Sequence, residues 1–229
     1  MMKIDVNKIE DIIGYKFQDQ RILIEAFTHS SYANENADSS YERLEFLGDS
    51  ILGMVVSQYL FNRYPNEDEG FLTKAKASIV SGKTLSKAVD KMGLIKFVRT
   101  ASGSIEDEIK RSNNVKEDIF EAIIGAIMQD SGKFEVAEGF IYSKLGDAMN
   151  VDFQKVTVTD FKSRLLEYCA KKGGMEVEFE VKSLADNVNS GFTATIMLNG
   201  KPYGQGKGLS KKKAEQQASR QTLEILKIK

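Results

Sequence analysis

Apolar residues recur at helical spacing through almost all of the first 146 positions of the chain. Steps of three and four residues place side chains on one face of an α-helix. The recurring sets are Ile9, Ile12, Ile13 and Phe17, then Ile22, Leu23, Ala26 and Phe27, then Leu44, Leu47, Ile51 and Val55, and later Ile119, Ile123, Ala126 and Ile127. No segment before residue 150 alternates as a strand does, so the pattern predicts an all-α first domain.

The pattern changes after Asp147–Thr159, a polar and weakly periodic stretch that is typical of a linker. Beyond it the spacing is helical, then of period two, then helical again, and Asn199–Gly200 is a hairpin dipeptide. The predicted elements are a helix Phe161–Lys172, strands Met175–Val181 and Phe192–Leu198, a short strand near Tyr203–Gly206 and a helix Lys211–Leu226. We therefore predict a multidomain chain with an all-α domain at 1–148, a linker at 149–158 and a small α+β domain (α-β-β-β-α) at 159–229.

The distribution of charge changes this picture more than the composition does. The 229 residues are 41% hydrophobic and 28% charged with a net charge of −1, which excludes collagen-like, disulfide-rich and wholly disordered chains. Taken as an average, that charge argues against a nucleic-acid partner. Residues 1–152, however, carry a net charge of −7, and residues 153–229 carry +6. Such asymmetry fits either an attached nucleic-acid-binding domain or two solvated surfaces of different charge.

Other features of the composition bear on location. The longest apolar runs, such as Ser50–Phe61 and Ile119–Met128, fall short of the ~20 residues that cross a bilayer. Acids near the start of the chain leave no signal-peptide pattern. The single cysteine, Cys169, allows no internal disulfide. We therefore expect a cytoplasmic protein with no membrane partner.

Acidic side chains gather on one face of the predicted helix around residue 45. At about 100° per residue, Glu42, Glu45 and Asp49 fall within roughly a 60° arc. Like charges at this spacing destabilise a helix unless a cation lies between them. No stripe of lysine or arginine accompanies these acids, since Arg43 lies on the other side of the helix.

A second acidic pair, Asp118 and Glu121, lies in the otherwise apolar segment Val115–Met128. Acids on a buried helix face must be paired, protonated or bound to a metal ion. Clustered carboxylates with few nitrogen ligands suit Mg²⁺ or Mn²⁺ rather than Zn²⁺, and such ions assist phosphodiester hydrolysis. From these residues alone, solvated acids that contact nothing remain the alternative.

Six motifs follow one another at sensible spacing over essentially the whole chain. They are HSSYANE at 29–35, ERLEFLGDSIL at 42–52, EDEG at 67–70, DIFEAIIGA at 118–126, DFKS at 160–163 and GKGLSKKKAEQQA at 206–218. Together these motifs resemble those of the ribonuclease III family. The resemblance implies a divalent-metal-dependent endonuclease that cleaves double-stranded RNA, followed by a double-stranded-RNA-binding domain.

The resemblance also implies roles for individual residues. Glu45, Asp49, Asp118 and Glu121 match the metal-binding catalytic carboxylates of the family, with Mg²⁺ as the cofactor and Mn²⁺ as a substitute. Two further acids of the cleavage site, associated with RNA and water, match Glu42 and Glu69. A phenylalanine that packs into the partner subunit of a homodimer matches Phe46.

By the same resemblance, each subunit of the homodimer cuts one strand. The products carry 5′-phosphate and 3′-hydroxyl ends with short 3′ overhangs. Precursors of ribosomal RNA and other structured transcripts are the expected substrates.

The second domain carries its own signal for RNA. Ser210 would cap a helix whose first turn contains Lys211, Lys212 and Lys213, which suits phosphate. Duplex RNA is bound through its phosphates and minor grooves because side chains cannot read its narrow major groove. Ser163 and Glu167 on the first helix match the family pattern.

The second domain also departs from that pattern in two places. Leu166 stands where the first helix often offers a glutamine toward the minor groove. The loop Ala185–Gly191 lacks the usual proline and histidine, and Asn187 and Asn189 are candidates to replace them.

A non-catalytic duplex-RNA-binding protein, with the acidic half as a dimerisation scaffold, is the alternative function.

The segment Ser81–Thr84, SGKT, is similar to a nucleotide-binding loop, but Ala77 replaces the required glycine and no strand precedes it. We therefore expect no nucleotide cofactor. We interpret His29, the only histidine, as making a structural hydrogen bond.

Overall fold

The computed structural model describes residues 4–153, 160–184 and 191–228, apart from the side chains of residues 104 and 105. The chain divides into two compact units, residues 1–151 and 152–229. The sequence-based boundaries at 148 and 159 stay predictions, because residues 154–159 lie outside the described residues.

Helices build the first unit, as the apolar spacing predicted. They are α1 (Val6–Ile13), α2 (Gln20–Ala26), α3 (Ser30–Asn36), α4 (Glu42–Arg63), α5 (Glu69–Ile79), α6 (Gly82–Met92), α7 (Ser104–Arg111), α8 (Asn113–Ser131) and α9 (Phe134–Met149), with a 3₁₀ turn at Ile95–Phe97. Within residues 4–153 the only β-type pairing is a single bridge between Thr28 and Arg99.

Helix α8 forms the centre of this unit. Every residue from Ile119 to Ile127 is buried, and α2, α4, α6 and α9 pack around it. A helix that is apolar on all sides belongs in the interior, where each face contacts a neighbour. One residue in that run is an acid, Glu121, so its carboxylate lies within the core region.

Two local boundaries differ from the sequence expectation. Helix α1 ends at Ile13 because Gly14 adopts a left-handed conformation, with φ +83°. Phe17 is nevertheless buried, and its N–H donates to the Glu10 carboxylate. At the other end, the stretch read as a linker begins inside a helix, since α9 runs to Met149, whose carbonyl accepts the Tyr59 hydroxyl at 2.9 Å.

The second unit has the predicted α-β-β-β-α order. Its elements are α10 (Phe161–Lys171), β1 (Val177–Ser183), β2 (Phe192–Leu198), β3 (Lys201–Gly208) and α11 (Lys211–Ile225). The strands form an antiparallel sheet of order β1-β2-β3. Asn199 and Gly200 connect β2 to β3, both at positive φ, as a tight hairpin requires.

Glycines in β3 allow the last helix to lie directly against the strand. A Cβ added to Gly204, Gly206 or Gly208 would lie closer than 3.0 Å to backbone atoms of α11. Real Cβ atoms do not approach other atoms so closely, so only glycine fits at these three positions. The glycines of β3 thus allow the close packing of α11 against the sheet.

Candidate functional site

Two glycines bring α4 and α8 into backbone contact. A Cβ added to Gly48 would overlap the Glu121 carbonyl oxygen, and one added to Gly125 would overlap the carbonyl of Leu44, each far closer than 3.0 Å. The two helices therefore cross with no side chain between them at this point. The consequence is that the acids beside these glycines, on two helices far apart in sequence, face a common region.

The four predicted metal ligands lie close enough for their charges to affect one another's pKa values. The pKa of Glu121 is raised to about 8. Burial is the largest cause, followed by the negative charges of Asp49, Glu117, Glu45 and Asp118. Glu121 is only 8% exposed. The pKa values of Glu45 and Asp118 are also raised, in both cases first by burial. Glu121 is the most deeply buried of the four, and burial is the largest cause of its raised pKa.

The other two predicted acids, Glu42 and Glu69, lie at the starts of two different helices. Glu42 begins α4, is exposed, and adds to the negative potential that raises the pKa of Glu45. Glu69 begins α5, and its carboxylate accepts the Thr73 hydroxyl at 2.8 Å. Its charge is not among those that shift the pKa of Glu45, Asp118 or Glu121. The structure thus groups Glu42 with the cluster and does not link Glu69 to it.

The four carboxylates match the chemistry of a hard divalent cation. They offer only oxygen atoms, and none forms an ion pair with lysine or arginine in the part of the chain that the structure describes. They do not converge on one point, however: among those same residues, no three Asp, Glu, His or Cys side chains are placed to hold an ion. Binding of one ion by all four would therefore require some of these side chains to turn from their present orientations.

Glu117 belongs to the same cluster. The acidic pattern of the sequence did not single it out. Its pKa is raised by burial and then by the charges of Asp118 and Asp49. Its Oε2 atom lies against Gly82, at the start of α6, where a Cβ would overlap it. Its i, i+4 spacing to Glu121 was the available signal, since residues so spaced share a helix face.

Tyr41 was missed as well, and it contacts the cluster directly. Its hydroxyl donates to Oδ2 of Asp118 at 3.0 Å, and the residue is 4% exposed. Burial and the nearby Asp118 charge raise the pKa of this phenol above its ordinary value. No periodicity marks Tyr41, because it precedes the first turn of α4.

His29 and the SGKT segment each lie at the start of a helix. The Ser31 N–H donates to His29 Nδ1 at 3.0 Å, so this ring nitrogen is an acceptor that caps α3. Burial lowers the pKa of His29. Ser81 precedes α6, and helix α5, rather than a strand, leads into it.

In the second unit, a polar clamp joins the beginnings of the two helices. The Lys162 ammonium pairs with Glu215 at 2.7 Å, and the Lys162 N–H donates to the Gln216 side chain. The amide nitrogen of Gln216 in turn donates to Asp160, which caps α10. The N-terminal turns of α10 and α11 are therefore held side by side.

The predicted RNA-contacting residues lie on these two helices. Ser163 and Glu167 are on α10, near the exposed Leu166. The lysines 211–213 are exposed in the first turn of α11, where the Ser210 hydroxyl accepts the Lys213 N–H. Asn187 and Asn189 lie outside the described residues.

Comparison with known proteins identifies the family of each unit. Residues 19–148 match a family model described as ribonuclease-III-like, and residues 161–226 match one described as a double-stranded RNA binding motif. A curated relative named Ribonuclease 3, from Clostridium perfringens, is 37% identical over 228 residues, covering 99% of this chain and 96% of its own. The chain belongs to the ribonuclease III family. Another Ribonuclease 3, from Streptococcus gordonii, is 35% identical and covers 95% of both chains.

A solved structure of a nuclease domain supports the same assignment. The nuclease domain of ribonuclease III from Campylobacter jejuni is 33% identical, with a TM-score of 0.59 over 64% of this chain and all of its own. That structure is described as showing flexibility in a region involved in dimer formation. The chain is therefore an endoribonuclease with a nuclease domain and a double-stranded-RNA-binding domain, and the non-catalytic alternative falls away.

Among the residues that the structure describes, no helix has both the length and the apolar character needed to cross a membrane.

Proposed function

We propose that this member of the ribonuclease III family hydrolyses both strands of duplex RNA with the help of a divalent cation, Mg²⁺ or in its place Mn²⁺. The cation would be held by Glu45, Asp49, Asp118 and Glu121. The observation that carries this proposal is the glycine-mediated crossing of α4 and α8, which gathers the carboxylates around the buried Glu121. Carboxylates confined in this way are strongly stabilised by a cation.

The cluster accounts for the reaction in general terms. When bound, a divalent cation activates water and neutralises charge that develops on the phosphodiester. The carboxylates of the four residues would hold the cation at the meeting point of α4 and α8. Glu42, exposed at the edge of the cluster, would contact RNA or water. We assign Glu69 the same type of role on the strength of its sequence position alone.

The products are expected to carry 5′-phosphate and 3′-hydroxyl ends with short 3′ overhangs. Precursors of ribosomal RNA and other structured transcripts are the proposed substrates. Incubation of a defined RNA duplex with the full chain and Mg²⁺, followed by end mapping, tests both the activity and the end chemistry. We expect paired cuts offset between strands, no cuts in single-stranded RNA and none after chelation. Binding without cleavage in the presence of Mg²⁺ would refute the proposal.

The second domain is proposed to bind the duplex through the N-terminal turns of its helices. The three lysines of α11, Lys211, Lys212 and Lys213, would contact phosphates, where the helix dipole adds to their charge. Ser163 and Glu167, on α10, would face the minor groove. The clamp between Lys162 and α11 supports this assignment, because it holds the two turns together.

Replacing Lys211 and Lys212 with alanine should weaken duplex binding and reduce its dependence on salt. Each lost phosphate contact lowers the slope of log K against log salt by about one. Titration of a labelled duplex at several salt concentrations measures this slope. The matched control is Lys171→Ala with Lys172→Ala, which removes the same charge from the exposed far end of α10. Equal slopes in the two double variants would remove Lys211 and Lys212 from the interface.

We further propose that the protein acts as a homodimer formed through α4. Phe46, Met54 and Phe61 are 78%, 59% and 69% exposed, although all three are large and apolar. At about 100° per residue they lie within roughly an 80° arc, so they form one stripe along the helix. The arc of Glu45 and Asp49 adjoins this stripe, which would place each cleavage site beside the partner.

A cavity that Phe46 helps to line lies beside this stripe. It has a volume of about 680 Å³, and its lining includes Ile22, Leu47 and Gln129. In a twofold interface the same patch occurs on both subunits, so a protruding side chain can enter the neighbouring copy's cavity. The Campylobacter jejuni nuclease domain, whose structure is described in terms of dimer formation, adds support.

Replacing Phe46 with aspartate should convert the dimer into a monomer. A charge buried in an apolar interface costs several kcal/mol, which is enough to shift a micromolar association out of range. Sedimentation velocity at working concentration measures the change. The control is Leu209→Asp, since Leu209 is 79% exposed but belongs to the other unit. A wild-type protein that sediments as a monomer would contradict the proposed dimer.

A further inference from the structure

We propose that Tyr41 is a positioning residue that holds Asp118 in the orientation required for cation binding. The inference rests on the proposed function, because it assumes that Asp118 is a metal ligand. Its basis is the hydrogen bond from the buried Tyr41 side chain to Oδ2 of the partly buried Asp118, with the hydroxyl 3.0 Å from that oxygen.

Tyr41 is itself fixed at both ends. Its backbone N–H donates to the Thr28 carbonyl at 2.9 Å, and its carbonyl accepts the Glu45 N–H at 2.9 Å. The second bond belongs to the first turn of α4, so Tyr41 is tied to the helix that carries Glu45. Its hydroxyl reaches Asp118 on α8 and therefore connects the two helices that supply the acids.

The Tyr41 ring is also held from the side. The His29 ring packs against it edge to face, with centroids 5.8 Å apart and planes inclined at 71°. His29 is oriented in turn by Ser31, whose N–H donates to Nδ1. A chain of contacts from α3 thus restricts the rotation of the tyrosine that contacts Asp118.

Asp118 differs in this respect from the other three predicted ligands. Among the described residues, Glu45, Asp49 and Glu121 accept no side-chain hydrogen bond, whereas Asp118 accepts one. An ionised carboxylate has several acceptor sites, so one bond to Oδ2 leaves the other oxygen for a cation. Outer partners of this kind orient a metal ligand, and their loss typically weakens metal binding about 10-fold to 100-fold.

The test is the variant Tyr41→Phe, compared with Tyr15→Phe. Tyr15 makes the same type of bond in the same unit, from its hydroxyl to Asp130 at 2.7 Å, but Asp130 is not one of the acids that shift the pKa of Glu121. Both changes remove one hydroxyl and keep the ring. Thermal unfolding in chelator then measures any general loss of stability in each variant.

Mn²⁺ binding to the full chain without RNA, measured by calorimetry, is the main readout. We expect Tyr41→Phe to raise the Mn²⁺ dissociation constant by about 10-fold or more. The Mg²⁺ concentration for half-maximal cleavage should rise by a similar factor, with kcat at saturating Mg²⁺ within a few-fold of wild type. Tyr15→Phe should change neither quantity. Unchanged Mn²⁺ affinity in Tyr41→Phe would overturn the inference.

The outcomes separate this inference from the proposed function. A wild-type chain that neither binds Mn²⁺ nor cleaves duplex RNA would refute the proposed function itself. A wild-type chain that does both, beside a Tyr41→Phe variant that equals it, would refute only the positioning role. Equal losses of Mn²⁺ affinity in Tyr41→Phe and Tyr15→Phe would show a general structural effect and would also overturn it.

Discussion

Replacing Glu121 with glutamine is expected to abolish cleavage of duplex RNA and to leave duplex binding unchanged. Glutamine keeps the size of the side chain but removes the negative charge, so the cation would lose a ligand at the most buried position of the cluster. The loss in kcat should be about a thousandfold or more, in the range found when one member of a catalytic set is removed. Binding should persist because its proposed contacts lie in the other domain.

The same variant should be more stable than the wild type once metal has been removed. Burial and neighbouring charges raise the folded-state pKa of Glu121 to about 8, whereas an unfolded glutamate titrates near 4.3. The wild type should therefore lose stability as the pH rises through the window between these values, because the folded protein must release a proton that it binds more tightly. Glutamine does not titrate, so above pH 8 the variant should unfold at a higher temperature in chelator.

The control for both measurements is Glu135→Gln, which removes an exposed charge from the first turn of α9. It should alter neither cleavage nor the pH dependence of unfolding. Retained cleavage by Glu121→Gln in Mg²⁺ would refute its assignment as a metal ligand. A loss of duplex binding in the same variant would show that Glu121 contributes to the RNA interface instead.

Sequence periodicity predicted elements of this protein well where the apolar pattern was clear. The alternation in β1 and β2 predicted two strands, and the Asn199–Gly200 turn after β2 predicted a hairpin with β3; the structure confirms both. The continuous apolar run in α8 predicted a buried helix, because a helix that is apolar on all sides belongs in the interior. Where Gly14 interrupts the first helix, the spacing from Ile13 to Phe17 continued by coincidence, and the predicted helix was too long.

The site was harder to predict, since its geometry depends on contacts between helices. Spacing along α4 and α8 showed two acidic pairs but could not show that the helices cross at Gly48 and Gly125. Tyr41 lies outside any periodic pattern, and its bond to Asp118 spans 77 positions of sequence. Such contacts are set by the way helices pack, which a pattern within one helix does not report.

The close crossing of α4 and α8 predicts that one added methyl group will strongly destabilise the nuclease domain. Gly125→Ala should destabilise the nuclease domain, because the added methyl group would overlap the backbone of Leu44 on α4. Backbone cannot move aside as a side chain can, so the helices would have to separate. We expect a cost of about 3 kcal/mol or more. For a chain of this size, that corresponds to a fall of roughly 6–12 °C in Tm, measured by circular dichroism.

Gly139→Ala provides the matched control within the same domain. Gly139 lies inside helix α9, and a Cβ added there meets no atom within 4 Å. Alanine favours helix over glycine by about 0.5–1 kcal/mol, so this variant should be slightly more stable than the wild type. Opposite signs for the same substitution in two helices would show that close approach, rather than helix propensity, explains Gly125.

The rate of RNA cleavage should be more sensitive than the unfolding temperature to a wider spacing between α4 and α8. At a temperature where Gly125→Ala is still folded, the wider crossing would move Glu45 away from Glu121 and weaken their joint hold on a cation. Activity per folded molecule should therefore fall by at least tenfold, with a rise in the Mg²⁺ concentration needed, while Gly139→Ala remains fully active. A Gly125→Ala protein with wild-type stability and wild-type cleavage would show that the backbones of α4 and α8 do not meet there. In that case the close approach of the helices would no longer explain how the acids are gathered.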